Sequence, residues 1–207
     1  MKVVVYSANF GQRDELLEMD WDERFEFHYF TERPVAHDVW RFHEPPVVFE
    51  SQRKMARWCK LHSHVLFPDA DVTIWVDSSM HLFEPVSSFL DYAEDGCFCS
   101  FEHPMRACAY DEGKYVMAVR IESWEKVRSQ LRSYRMDGYP RKNGLLETQV
   151  VVRRHASEVG ELNEAWWEQL ERFSLRDQVS LPYVLWKFGI EPVIMPHGLA
   201  ESRGHLR

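Results

Sequence analysis

Apolar positions along this chain follow two rhythms that alternate nearly from end to end. Short runs rich in β-branched and aromatic residues predict strands at 2–7, 25–30, 40–43, 72–76, 97–101, 148–153 and 191–195. Stretches with apolar residues every three or four positions predict helices at 50–66, 85–94, 111–136, 162–173 and 177–188. In the first of these, Met55, Trp58, Cys59, Leu61 and Val65 make one apolar stripe. Pro85 suits the opening of the second, and Asp137-Gly138-Tyr139-Pro140 stops the third. Strands alternating with helices predict an α/β fold, a mainly parallel, twisted sheet flanked by helices. At 207 residues the chain is long enough for a full core and predicts a single domain over 1–207.

The run Val72-Thr73-Ile74-Trp75-Val76 does not alternate, which predicts a strand buried on both faces at the centre of such a sheet. It stops abruptly at Asp77, and Ser78 and Ser79 follow. Ligands bind at the carboxyl ends of strands in open α/β sheets, so Asp77 stands where chemistry tends to sit. A carboxylate followed by small hydroxyl residues could hold a divalent cation and the diphosphate attached to it. An Asx-type turn that merely ends a strand explains the same residues equally well.

Other polar groups cluster near predicted strand ends. Arg53, Arg57, Lys60 and His64 recur at helical spacing just before that strand. They form either a cationic edge for a diphosphate or a solvated basic face. His103-Pro104-Met105-Arg106 follows the 97–101 strand and suits substrate positioning, though a plain loop accounts for it. Glu147, leading into the 148–153 strand, could bind or deprotonate an acceptor hydroxyl, or be a surface carboxylate. Arg176, Asp177 and Gln178 open the last helix, where Asp177 either caps it or presents an oriented carboxylate to a cleft. His197 is a candidate metal ligand or a structural histidine.

Composition narrows the function classes. A net charge of −8 argues against a general nucleic-acid binder, which needs a basic face, but leaves room for a local basic pocket. The aromatic share of 14% either fills the core or supplies stacking platforms for sugars or bases. Cys59, Cys97, Cys99 and Cys108 show no paired C-x-x-C spacing, which points to packing rather than zinc. A reducing, cytoplasmic setting fits those thiols. No segment approaches the ~20 apolar residues of a membrane span, and the N-terminus turns polar too soon for a signal peptide.

Six blocks, in order, resemble one family, the TOD/mucilage-type glycosyltransferase-like proteins. They are YSANFGQRDEL, the helix carrying Arg57 and Lys60, LFPDADVTIWVDSSM, FEHPMRACAYDE, GYPRKNGLLETQVVVRRH and NEAWWEQLERFSLRDQVSLPYVLWK. They cover most of residues 3–189, and the last two are long and unusual, hence more specific than a short motif. The resemblance implies a GT-A-like, Rossmann-like fold. It also implies a glycosyltransferase that moves a sugar from a nucleotide-diphosphate sugar to a carbohydrate acceptor, in polysaccharide or glycoconjugate biosynthesis.

Carried over by position, the resemblance implies that Tyr6, Ser7, Ala8, Asn9 and Phe10 line the nucleoside, with Thr31 at the second strand's end. Arg57 and Lys60 would approach the diphosphate. Asp77, Ser78 and Ser79 stand at the Asp-x-Asp position, where Ser79 supplies no second carboxylate. A manganese or magnesium ion would then rely on Asp77, diphosphate oxygens, water and His197, and Arg57 with Lys60 could supply leaving-group charge instead. Glu147, Asp177 and Gln178 resemble an acceptor-side carboxylate and an Asp-Gln pair, with Asp177 near the anomeric carbon. Two other functions fit the residues: a hydrolase with Glu147 and Asp177 as acid/base pair, or a non-catalytic nucleotide-sugar-binding module.

Overall fold

The computed structural model describes residues 1–11, 14–17 and 19–202, so Gln12 and Arg13 of the first resembling block lie outside it. Its strands are β1 (Val3–Ala8), β2 (Glu26–Phe30), β3 (Arg41–His43), β4 (Val72–Val76), β5 (Met80–Leu82), β6 (Phe98–Glu102), β7 (Leu146–Arg154), β8 (Val193–Met195) and β9 (Ala200–Ser202). The helices are α1 (Gln52–Leu61), α2 (Ser63–Leu66), α3 (Leu90–Asp95), α4 (Ala109–Ala118), α5 (Trp124–Met136), α6 (Ser157–Arg172) and α7 (Asp177–Phe188). Seven strands form one sheet in the order β3-β2-β1-β4-β7-β6-β8. Every neighbouring pair is parallel except those made by β7, which runs against β4 and β6. The carboxyl ends of β1, β4 and β6 therefore share one edge with the amino end of β7. Ala8, Asp77 and Glu147 all come to that edge.

The VTIWV run is buried throughout, as its lack of alternation predicts. Tyr6 and Trp75 face the apolar layer beneath α1, α6 and α7, while Val5 and Ile74 face a second layer that includes Val86 and Phe89. Burial on both faces makes β1 and β4 a rigid floor, which is why the residues at their ends are well positioned.

Several elements depart from the sequence pattern. The 50–66 helix breaks at His62 (φ −109, ψ 38), whose backbone N–H still bonds the Trp58 carbonyl at 3.0 Å. Val65 consequently leaves the apolar stripe and is 52% exposed. The 111–136 helix is two helices, separated by a turn in which Arg120 has φ 58, and restarted by Ser123 as an N-cap. The 85–94 helix opens as a 3-10 turn at Val86–Phe89. Cys97 falls just outside β6. The short antiparallel β5–β9 pair was not anticipated, because three residues carry too little periodicity to read. Among the described residues, no helix is long and apolar enough to cross a membrane.

Candidate active site

The site is built on α1. Ser51 caps the helix by accepting the Lys54 N–H at 3.2 Å, and Met55, Cys59 and Leu61 are buried on its inner side. That anchoring carries Arg57 and Lys60 over the active edge. Lys60 is wholly buried, its ammonium 2.7 Å from Asp177 Oδ2 and 3.6 Å from Asp77 Oδ1. Arg57 reaches Asp177 Oδ1 at 3.3 Å, and Thr148 Oγ1 donates to Asp177 Oδ2 at 2.7 Å. Asp77 is fixed independently: its N–H donates to the Gln149 carbonyl at 2.7 Å, and its Oδ1 accepts the Trp75 indole N–H at 2.5 Å.

Two carboxylates and two cations thus neutralise one another in a largely buried cluster, the arrangement that buried charge requires. Burial opposes ionisation of Asp177, but Arg57, Lys60 and the Thr148 hydroxyl outweigh it and hold the carboxyl far below its ordinary range. Its place at the first residue of α7 adds the favourable field of a helix N-terminus. Burial likewise opposes the Arg57 charge, yet Asp177, Asp77 and Glu122 together raise its pKa. Burial draws the Lys60 ammonium below its ordinary value, and Asp177 and Asp77 work against that shift. For these two residues the solvated-face alternative is therefore wrong. Arg53 is committed elsewhere, to Glu122 at 2.5 Å and the Leu175 carbonyl at 3.3 Å. His64 leaves the row altogether, because the break at His62 turns it towards Glu164 at 2.9 Å.

Beside this cluster opens a cavity of about 210 Å³. Ala8, Asn9 and Phe10 line one part of it, Arg53 and Arg57 another, and Asp77, Ser78 and Ser79 a third. Asp14, which no pattern in the sequence singles out, also lines it and links two walls. Its Oδ2 accepts from Ser78 Oγ at 2.6 Å and its carbonyl from Asn9 Nδ2 at 2.7 Å. Gly11 has φ 80, and a Cβ there would stand 2.3 Å from Gln52 Oε1, so this loop presses directly on α1.

Tyr6, Ser7, Thr31 and Lys60 lie outside the cavity lining. Tyr6 is fully buried, donating to the Lys60 carbonyl at 2.9 Å and accepting from Arg153 at 3.1 Å. Ser7 has no exposure, and Thr31 is buried with its N–H on the His43 carbonyl at 2.9 Å. Tyr6 and Ser7 shape the site from behind because alternate positions on β1 point into the two apolar layers. Gln178 is likewise buried, next to Asp177.

His103, Arg106 and Arg176 form a second centre. Arg106 and Arg176 both ion-pair with Glu112, which is fully buried on α4; Arg176 Nε lies 2.9 Å from Oε1, and His103 Nε2 is 3.8 Å from Oε2. Glu112 was not singled out because it reads as an ordinary acidic residue of a helix until Arg176, 64 residues away, is brought to it. Glu147 lies across from Phe101, whose ring belongs to the second apolar layer, whereas Thr148 beside it points to Asp177. Glu147 and Asp177 therefore stand on opposite faces of β7 and do not flank a common bond. His197 stacks on Phe101 with ring centres 5.8 Å apart and lines a separate cavity with His103 and Arg106.

The TOD1/MUCI70 glycosyltransferase-like domain matches residues 34–197. The chain belongs to this family. Many solved structures match the fold of this TOD1/MUCI70 domain, two of them glycosyltransferases in their apo forms. The apo WbbM bifunctional glycosyltransferase has a TM-score of 0.58 at 10% identity, with 94% of this chain and 39% of that one covered. The apo form of mouse xyloside xylosyltransferase 1 has a TM-score of 0.55 at 11% identity, covering 94% of this chain and 84% of that one. The TOD1/MUCI70 domain thus spans well under half of WbbM. No curated protein matches it in sequence. The fold is that of GT-A glycosyltransferases.

That fold implies a divalent cation at the Asp-x-Asp position, but the donor set of this TOD1/MUCI70 domain does not fit one. Asp77 Oδ1 is occupied by the Trp75 indole and has the Lys60 ammonium 3.6 Å away. Ser79 adds no charge, and His197 lines a different cavity from Asp77. Among the described residues no three His, Cys, Asp or Glu side chains converge as a metal site. A hard cation needs several oxygen ligands, and a nearby ammonium repels it.

Proposed function

We propose that this domain transfers a sugar from a nucleotide-diphosphate donor to a carbohydrate acceptor, with fixed protein cations stabilising the departing diphosphate. The observation that carries the reading is the Arg57–Lys60–Asp77–Asp177 cluster at the carboxyl edge of a GT-A fold, beside a cavity of about 210 Å³. As the bond from the anomeric carbon to the diphosphate breaks, negative charge grows on the leaving oxygen. Arg57 is poised for that charge: its side chain is 16% exposed, lines the cavity and keeps a buried Nε without a partner among the described residues. Ser79 offers its hydroxyl to the diphosphate, the Ser78 hydroxyl being given to Asp14, and Ala8, Asn9 and Phe10 form the nucleoside wall.

Asp177 is held as an ionised partner of two cations, so it orients Arg57 and Lys60 rather than collecting a proton. Glu147, at the same edge on the other face of β7, is the proton acceptor for the incoming hydroxyl. His103, Arg106 and Arg176 position that acceptor around Glu112.

The test is release of nucleoside diphosphate from a panel of nucleotide sugars, with and without carbohydrate acceptors. The expected result is slow hydrolysis of one donor, accelerated by an acceptor, with a drop of ~100-fold in the Arg57→Ala variant. Free sugar released from glycosides without any nucleotide would establish a hydrolase instead. Donor binding with no turnover under any condition would leave only a binding module.

A further inference from the structure

A cavity of about 520 Å³ opens where β6, β7 and β8 meet the second half of α7, and the proposed transfer chemistry makes no use of it. Leu146 and Leu185 line its buried part, Trp186 is half-buried, and Glu102, Asn143 and Glu191 are exposed around it. The Trp186 ring is braced by Tyr139, at 5.5 Å and 63°, and by Tyr183, at 6.0 Å and 38°. A braced aromatic surface loses little freedom when a ligand stacks on it.

The charge pattern selects the ligand. Two carboxylates and an amide surround the apolar floor, and no Lys, Arg or His among the described residues lines the cavity. Phosphates, nucleotides and uronates would meet like charge there without a compensating cation. Hydroxyl groups would find acceptors in both carboxylates and both donors and acceptor in the amide. Apolar surface with convergent polar groups at its margin suits a sugar ring, which has one apolar face and a belt of hydroxyls.

Its position is equally specific. Leu146 is one residue from Glu147 and two from Thr148, the hydrogen-bond partner of Asp177. At the rise of a β-strand, two residues put this one lining residue, Leu146, ~7 Å from that partner along the backbone. Glu102 also lines the adjoining cavity that contains His103, Arg106 and His197.

We infer that this cavity is an acceptor subsite for a neutral oligosaccharide, with Trp186 stacking on a sugar and Glu102, Asn143 and Glu191 bonding its hydroxyls. The name acceptor rests on the transferase reading; the predicted binding does not. The test is saturation-transfer NMR and calorimetric titration of the full chain without nucleotide. Its probes are neutral gluco-, xylo-, manno- and galacto-oligosaccharides of increasing length, with an oligogalacturonide and decanol as anionic and apolar controls. At least one neutral series should bind, more tightly as it lengthens, and Trp186→Ala should weaken it about tenfold. Because Trp186 also packs on two tyrosines, the exposed Glu191→Gln provides a second variant, expected to weaken binding several-fold with an unchanged melting temperature.

Absence of binding by every neutral series, tighter binding of either control, or unchanged affinity in both folded variants would overturn the inference. A parallel titration with nucleotide sugars reads the Asp77 cavity separately. Nucleotide-sugar binding without glycan binding would sink the subsite and leave the transferase standing. Glycan binding without nucleotide-sugar binding would uphold the subsite and sink the transferase.

Discussion

The Lys60 ammonium has no solvent exposure and depends on Asp177, 2.7 Å away, for its charge partner. Replacing Asp177 by Asn removes that partner from Lys60 and Arg57 together while keeping the shape of the side chain. Breaking a buried pair in this way costs ~3–5 kcal/mol, so urea unfolding of Asp177→Asn should show a loss of that order. A second expectation concerns protons. Burial, then Arg153, pushes the His155 pKa down from 6.5 to about 4, and burial lowers His28, His43, His62 and His103 in the same direction. The unfolded chain therefore binds more protons than the folded one between these values. The histidine contribution is complete above pH 6.5 and is lost as pH falls through about 4. Melting temperature should fall across that window, and less steeply in His155→Gln. At this scale the end of β4 just before Asp77 was legible, because an abrupt end to an apolar run is a local signal. Asp177's pairing was hidden, since its partner Lys60 is separated from it by 117 residues. The same applies to Asp14 and Ser78, separated by 64.

Helix α1 is where local sequence becomes active-site geometry. Its Ser51 cap holds the first turn, and both Arg57 and Lys60 ride on the later turns of the same helix. Ser51→Ala should cost ~1 kcal/mol in unfolding experiments and should weaken donor binding as well, since the cations move with the helix. Unchanged donor affinity in that variant would show that packing of Met55, Cys59 and Leu61 alone fixes α1. Strands were legible because unbroken apolar runs mark burial on both faces. The helix breaks at His62 and at residues 119–123 were not, because the apolar spacing continues across them and only cap geometry reveals the interruption.

For the whole molecule, the α/β class and the mainly parallel sheet followed from alternation of the two rhythms. The reversed direction of β7 did not, since a run such as Val150-Val151-Val152 reads the same in either direction. That reversal matters, because it delivers Glu147 and Thr148 to the edge where Asp77 ends β4. The same arrangement leads to the expectation that turnover persists in chelator, the diphosphate being met by Arg57, with the buried Lys60 behind it, rather than by a cation held on Asp77. Turnover abolished by EDTA and restored by manganese would show that the Lys60–Asp77 contact opens to admit a metal.

The most direct test of the account is calorimetric binding of uridine, guanosine, adenosine and cytidine diphosphates and their sugars to the wild-type protein and to Asp77→Ala and Arg57→Ala, all in EDTA. The account predicts selective binding of one nucleotide series by the wild type, with a large loss in both folded variants. Binding by none of the series, or equal binding by the variants, would contradict it.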